Sequence, residues 1–261
     1  MSKSPQSPTG KSLGNTPSRV DGTLTLMIPD HTHLQIGSLI FEGIDQIDVT
    51  GPFEVFSRLP NSTYRLFATT RLPVRDMHGL RLMADALLSE APQLDLLHIP
   101  GGPGQEALME NEEVLGWIRQ QAAGARCVFS VCTGALICGA AGLIQGRRAT
   151  THWSAFNLLP FFGAIPVNER VVIDGNWVFA AGVTAGIDGA LRVAADLRGE
   201  KVAQVIQLGM AYAPEPPFQS GTPESAPPDV LAEAQHSGQM LAAHRLETAR
   251  CVAMRLGINK V

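Results

Sequence analysis

The chain has 261 residues, 45% of them hydrophobic and 17% charged, with a formal net charge of −4. About 200 residues suffice for one large α/β core, and two full domains would be a tight fit. The mild acidity makes nucleic acid a poor partner, and there is neither an apolar run of about 18 residues for a membrane span nor a secretory signal.

Residues 1 to 22, rich in Ser, Pro, Thr, Gly and Lys, read as a disordered leader. A first strand is expected at 34–41, apolar enough to be a central parallel strand covered on both faces. Next comes a short helix, 53–59, with Thr50 as its cap and Gly51-Pro52 opening it. Further strands are expected at 64–69 and 94–99, the latter running into Pro100-Gly-Gly-Pro-Gly104 and then a helix over 105–123. A strand at 127–131 gives way to a helix at 133–143. A helix over 154–162, a hairpin turning at Asp174-Gly-Asn176, and helices at 184–197 and 200–212 complete the core.

The repeated order of strand, loop and helix predicts a doubly wound, mostly parallel α/β sheet with helices on both faces, spanning 34–212. Residues 213–229 are too rich in proline for the interior of a helix or sheet and read as a strap. A terminal helix, 230–256, is expected to pack on the body or on a partner subunit. The four cysteines, at 127, 132, 138 and 251, have neither the density of a disulfide framework nor the spacing of a metal site. Reduced thiols, a cytoplasmic location and no metal or organic cofactor are the expectation.

The chemistry concentrates where the strand 127–131 ends. Cys132 stands at an abrupt strand-to-helix junction, the layout of a nucleophile elbow, where free amides of the first helical turn stabilise a thiolate or an oxyanion. Three loops should converge at the carboxyl edge of the sheet, carrying Asp48, Gly101 to Gly104, and Cys132-Thr133. Gly101 and Gly102 let backbone amides approach a reacting atom, together with the amide of Thr133, and Asp48 would orient water and pass protons. Plainer readings stand beside these. Cys132 also fits a small buried apolar side chain, Asp48 a helix cap, and the Gly-Gly-Pro-Gly loop a turn. His152 is either a partner of the thiolate or part of a packed turn. Thr184 and Asp188 either cap a helix or line the crevice.

Taken together, several segments resemble the DJ-1/PfpI superfamily. They are Ile36 to Phe41, Gln46-Ile-Asp-Val-Thr-Gly-Pro52, His98-Ile-Pro-Gly-Gly-Pro-Gly104, Ser130-Val-Cys-Thr-Gly134, Ala140 to Leu143, Ala149-Thr-Thr-His-Trp153 and Val183-Thr-Ala-Gly-Ile-Asp188. With the strap Tyr212 to Phe218 they look most like its isocyanide hydratase branch. The resemblance implies a flavodoxin-like fold similar to class I glutamine amidotransferases, and a homodimer. It also implies a small apolar isocyanide and water as substrates. Cys132 then matches the nucleophile, Asp48 the essential acidic residue, and Thr133 a supporting hydroxyl. Gly102 matches a backbone amide facing the thiolate, and Val183 a position beside the cysteine loop where the hydratases have isoleucine. The implied chemistry is attack of the Cys132 thiolate to give a thioimidate, then hydrolysis by water that Asp48 activates, releasing an N-substituted formamide. Protease-like members place histidine after the cysteine, where this chain has Thr133. A glyoxalase or deglycase activity and a cysteine-based redox sensor are the alternatives. Superfamily regulators append a helix-turn-helix domain, for which the tail after residue 216 is short.

Overall fold

The computed structural model describes residues 28–258, so the expected leader lies outside the described residues. The chain runs through β1 (Leu34–Leu39), α1 (Gln46–Phe56), β2 (Ser62–Ala68), β3 (Val74–Arg75), β4 (Arg81–Leu82), β5 (Ala86–Leu87) and β6 (Leu96–Ile99). It continues with α2 (Gln105–Leu108), α3 (Glu112–Gly124), β7 (Cys127–Val131), α4 (Gly134–Ala140) and β8 (Arg148–Ala149). A 3₁₀ stretch, Trp153–Phe162, leads to β9 (Ile165–Pro166), β10 (Val171–Asp174) and β11 (Trp177–Ala180). Three helices follow, α5 (Ala185–Arg198), α6 (Glu200–Gly209) and α7 (Pro228–Arg255).

Seven strands form one sheet in the order β10-β11-β7-β6-β1-β2-β5, parallel throughout except for the β10–β11 hairpin. This is the doubly wound α/β architecture. Strands β6, β7 and β11 are buried along their whole length, as expected when helices cover both faces of a parallel sheet. Their side chains alternate between two cores. Leu96, Phe129 and Val178 pack with Val55 of α1, Val193 of α5 and Ile206 of α6. Leu97, Val128 and Phe179 pack with Ile118 of α3, Leu136 of α4 and Val252 of α7.

The order of the sheet places the site. From β1 the chain winds outward to β2 and β5, then returns to β6 on the other side of β1 and proceeds outward again. The winding reverses between β1 and β6, and a crevice opens at such a point beyond the carboxyl ends of the strands. The segments following β1, β6 and β7 carry Asp48, the Gly101–Gly102 loop and Cys132.

Several local expectations are corrected. Helix α1 begins at Gln46 rather than Phe53, because the Asp45 carboxylate accepts the Ile47 amide (3.3 Å) and caps it. Thr50 is therefore inside the helix, donating to Gln46 Oε1 at 2.8 Å, and Asp48 lies in its first turn. The single helix expected over 105–123 is two, since Asn111 Oδ1 accepts the Val114 amide (3.2 Å) and starts α3 afresh. Over 153–162 the backbone is 3₁₀ rather than α, with Pro160 in the run lacking the amide an α-helical ladder needs. The short pairs β3–β4 and β8–β9 have too few residues to show a period in sequence.

Candidate active site

Cys132 follows β7 directly and takes a left-handed conformation, φ +55°, which L-residues other than glycine avoid. Both of its backbone groups are held. Its N–H donates to Ala180 O on β11 (2.9 Å), and its carbonyl accepts from Thr151 Oγ1 (2.7 Å). These bonds fix a conformation that costs roughly 1 kcal/mol or more. The Thr133 amide interacts with the sulfur and favours its ionised form.

Asp48 is fully buried. Its Oδ2 accepts the Gly101 amide at 2.9 Å, while Oδ1 has no partner of standard geometry. The Cys132 thiol lies close enough to interact with this carboxyl. Burial, then the neighbouring Asp45 carboxylate, pushes Asp48 up to about 8. Burial, then the charge of Asp48, pushes the Cys132 thiol well above its ordinary value. The Asp48 charge disfavours ionisation of Cys132, whereas the protonated thiol favours the Asp48 carboxylate, so the two titrate as a coupled pair.

The loop after β6 completes the arrangement. Gly101 O accepts the Asp45 amide (3.0 Å), and the Gly102 amide donates to Thr133 Oγ1 (3.1 Å). Gly102 has φ +128°, and a Cβ there would stand 2.2 Å from Asp45 N and 2.6 Å from Ile44 C. Gly102→Ala should therefore cost at least ~2 kcal/mol, a Tm loss of roughly 4–8 °C in thermal unfolding. The loop that holds Asp48 through Gly101 would be displaced with it.

The structure thus brings Asp48, Gly101, Gly102, Cys132 and Thr133 together. The remaining candidates lie around them. Val183 is half-buried and packs on the cluster that contains Cys132. Thr184 is exposed at the start of α5, its Oγ1 accepting from Arg170 Nη2 (3.2 Å). Asp188 pairs with the same arginine and accepts from Tyr212 Oη at 2.8 Å. His152 caps the 3₁₀ stretch, with Nδ1 accepting the Ser154 amide at 3.3 Å. Burial, then the charge of Arg245, pushes His152 down to about 4.

Two further features escaped sequence reading. His98 of β6 is buried, with Nδ1 bonded to Ser38 Oγ of β1, which also bonds Tyr64 Oη of β2. The ring approaches the backbone of Asp48, whose carbonyl has no helical donor because Pro52 lacks an amide. A histidine within the apolar run Leu96-Leu-His-Ile99 was the available signal. The second is Arg245 of α7, which is buried and donates from Nη2 to Gly102 O at 3.1 Å. Nothing local to residue 245 announces that contact.

The fold is thus a doubly wound α/β sheet that sets a cysteine at the strand–helix elbow against a buried carboxyl. Residues 35–196 match the DJ-1/PfpI family model. The chain is 47% identical to an isonitrile hydratase of Pseudomonas putida over 226 residues, 87% of this chain and 99% of that protein. A deglycase of Thermococcus kodakarensis is 25% identical over 139 residues, 52% of this chain and 83% of that protein. The crystal structure of a THiJ/PfpI family protein from Pseudomonas syringae superposes with a TM-score of 0.82 at 35% identity, covering 86% of this chain and 94% of that one. The chain belongs to the DJ-1/PfpI family.

Proposed function

We propose that this protein is an isocyanide (isonitrile) hydratase, a lyase that adds water to R–N≡C and releases R–NH–CHO. The carrying observation is the 47% identity to an isonitrile hydratase along 99% of that protein's length. The paired Cys132 and Asp48 suit the chemistry. Isocyanides are electrophilic at the terminal carbon, and a nucleophile together with a proton adds at that one atom.

In the reactive form the pair holds one proton, on the Cys132 sulfur, and the Asp48 carboxylate beside it takes that proton as the sulfur attacks. The sulfur attacks the terminal carbon, forming the C–S bond, and Asp48 delivers its proton to that carbon, giving the thioimidate R–N=CH–S–Cys. The Asp48 carboxylate then takes a proton from water as the hydroxide adds to the same carbon, and passes that proton to nitrogen. Finally Asp48 accepts the hydroxyl proton while the C–S bond breaks, releasing the formamide, and that proton returns to the departing sulfur, restoring thiol and carboxylate. Covalent catalysis divides one difficult hydration into easier steps. The Thr133 amide favours the thiolate before attack and after collapse. Thr133 Oγ1 holds the Gly102 amide in place.

The redox-sensor alternative requires an accessible thiol of low pKa. Cys132 is only 6% exposed and its thiol is pushed up, which favours the enzyme. The test is to incubate the protein with a simple alkyl isocyanide and follow the N-alkylformamide by mass spectrometry, with methylglyoxal in parallel. Formamide release supports the hydratase. Lactate without formamide overturns it in favour of the glyoxalase.

A homodimer belongs to the same proposal. Residues 228–244 of α7 are almost entirely exposed, with Met240 78% accessible, and Leu208 on α6 is 82% accessible. Exposed apolar surface of this kind suits a subunit interface. Light scattering after size exclusion should return twice the chain mass, and a monomer would refute the assignment. Among the described residues no helix is long and apolar enough to cross a membrane. All four cysteines are free, which supports placing the enzyme in the reducing cytoplasm.

A further inference from the structure

We propose that Arg245 is a positioning residue of this active site, a cation carried in by α7 that braces the Gly101–Gly102 loop and supplies the positive charge accommodating a Cys132 thiolate beside Asp48. The inference rests on the hydratase reading for its role in turnover, but not for its effect on the thiol.

The geometry begins with α7. Its amino-terminal part is exposed, whereas Arg245, Thr248, Ala249, Val252 and Ala253 are buried against the body. Three side chains fasten this part. Arg255 Nη2 donates to Met109 O and Ala140 O (both 3.1 Å), Thr248 Oγ1 bonds Glu106 Oε1, and Arg245 Nη2 donates to Gly102 O (3.1 Å). Arg245 is 6% exposed, and its Nε has no hydrogen-bond partner. A buried guanidinium with so few bonds is costly unless an anion stands near it. The group that most favours its charge is Cys132, ahead of Glu106. A single acceptor, Gly102 O, therefore ties the cation to the loop whose neighbouring amide, that of Gly101, holds Asp48.

The other groups around Cys132 cannot fill this role. Asp48 and Asp45, from α1 and its cap, are acidic and oppose a thiolate. His152 approaches from the segment before the 3₁₀ stretch, but its Nδ1 is occupied as an acceptor and burial keeps the ring neutral at pH 7. Glu106 of α2 is a carboxylate that competes for the arginine. The Thr133 amide contributes only a dipole. Among the described residues Arg245 is the full positive charge that favours the thiolate, acting with the Thr133 amide, whose influence is the larger.

The test reads the thiol directly. In a Cys251→Ser background, which removes the exposed cysteine, alkylation of Cys132 by iodoacetamide is followed against pH by peptide mass spectrometry. Arg245→Met should move the alkylation midpoint upward by about one pH unit and lower kcat/KM about tenfold at pH 7.5, whereas Arg245→Lys should restore most of both. Glu106→Gln should move the midpoint downward. If Arg245→Met lowers Tm yet leaves the midpoint in place, Arg245 is only a packing residue and the proposal fails. Should Arg245→Met not fold, an unmoved midpoint in Glu106→Gln overturns it equally. The alkylation needs no isocyanide. A wild-type protein that releases no formamide but shows these shifts would refute the hydratase while leaving the cation's role intact.

Discussion

Cys132→Ala is expected to lose isocyanide hydration by at least ~10³-fold in kcat/KM, the scale on which removing a nucleophile acts, while unfolding within a few degrees of the parent chain. The two halves of this expectation have separate causes. The lost activity follows because the C–S bond of the thioimidate has no substitute, and the remaining donors cannot attack carbon. The retained fold follows because the backbone of residue 132 is held by Ala180 O and Thr151 Oγ1, neither of which touches the sulfur. Alanine keeps the same left-handed strain and leaves only a small void. Formamide release by mass spectrometry, set beside a calorimetric scan, checks both halves. Turnover near the parent rate would show that the sulfur takes no covalent part.

Asp48→Asn is expected to lose ~10²–10⁴-fold in kcat/KM, the usual worth of a positioned acid–base group. Asparagine retains an acceptor for the Gly101 amide but cannot carry a proton from sulfur to carbon or from water to nitrogen. The pH dependence carries a sharper signature. With Asp48 pushed up to about 8, kcat/KM should climb with pH toward that value as the pair reaches its singly protonated form. The rising limb should disappear in the variant.

Stability should move in the opposite direction. A carboxyl whose pKa is raised on folding holds its proton more tightly in the folded state, so its contribution is complete below the unfolded value. For Asp48 that contribution is lost as pH rises from 3.8 to about 8. Denaturant unfolding across this window should show parent stability falling with pH and a flatter profile for Asp48→Asn. Equal profiles would mean that Asp48 ionises freely in the folded protein.

Particular residues show how far the sequence could be read. Strand β7 was legible to the residue because five apolar or small side chains end at a cysteine followed by helix-compatible glycine and alanine. The convergence of Asp48, Gly101–Gly102 and Cys132 was legible because the carboxyl ends of parallel strands share one edge. Helix α1 was misplaced because Gly51-Pro52 mimics a helix start, and the cap that wins, Asp45, stands five residues before Thr50. The break between α2 and α3 depended on the Asn111 side chain choosing a cap over a continuous ladder.

What the sequence determined by itself was local and periodic. Apolar runs define strands buried on both faces, their alternation with helices defines the winding, and the strand–cysteine–helix junction defines the elbow. What only the tertiary structure decided was who shares the charge at that elbow. Electrostatic interactions in a buried site depend on distance and desolvation rather than on order along the chain. Hence the rise of Asp48 to about 8, the His98–Ser38–Tyr64 chain behind it, and the arrival of Arg245 from the last helix became visible only once the sheet had closed and α7 had packed across its edge.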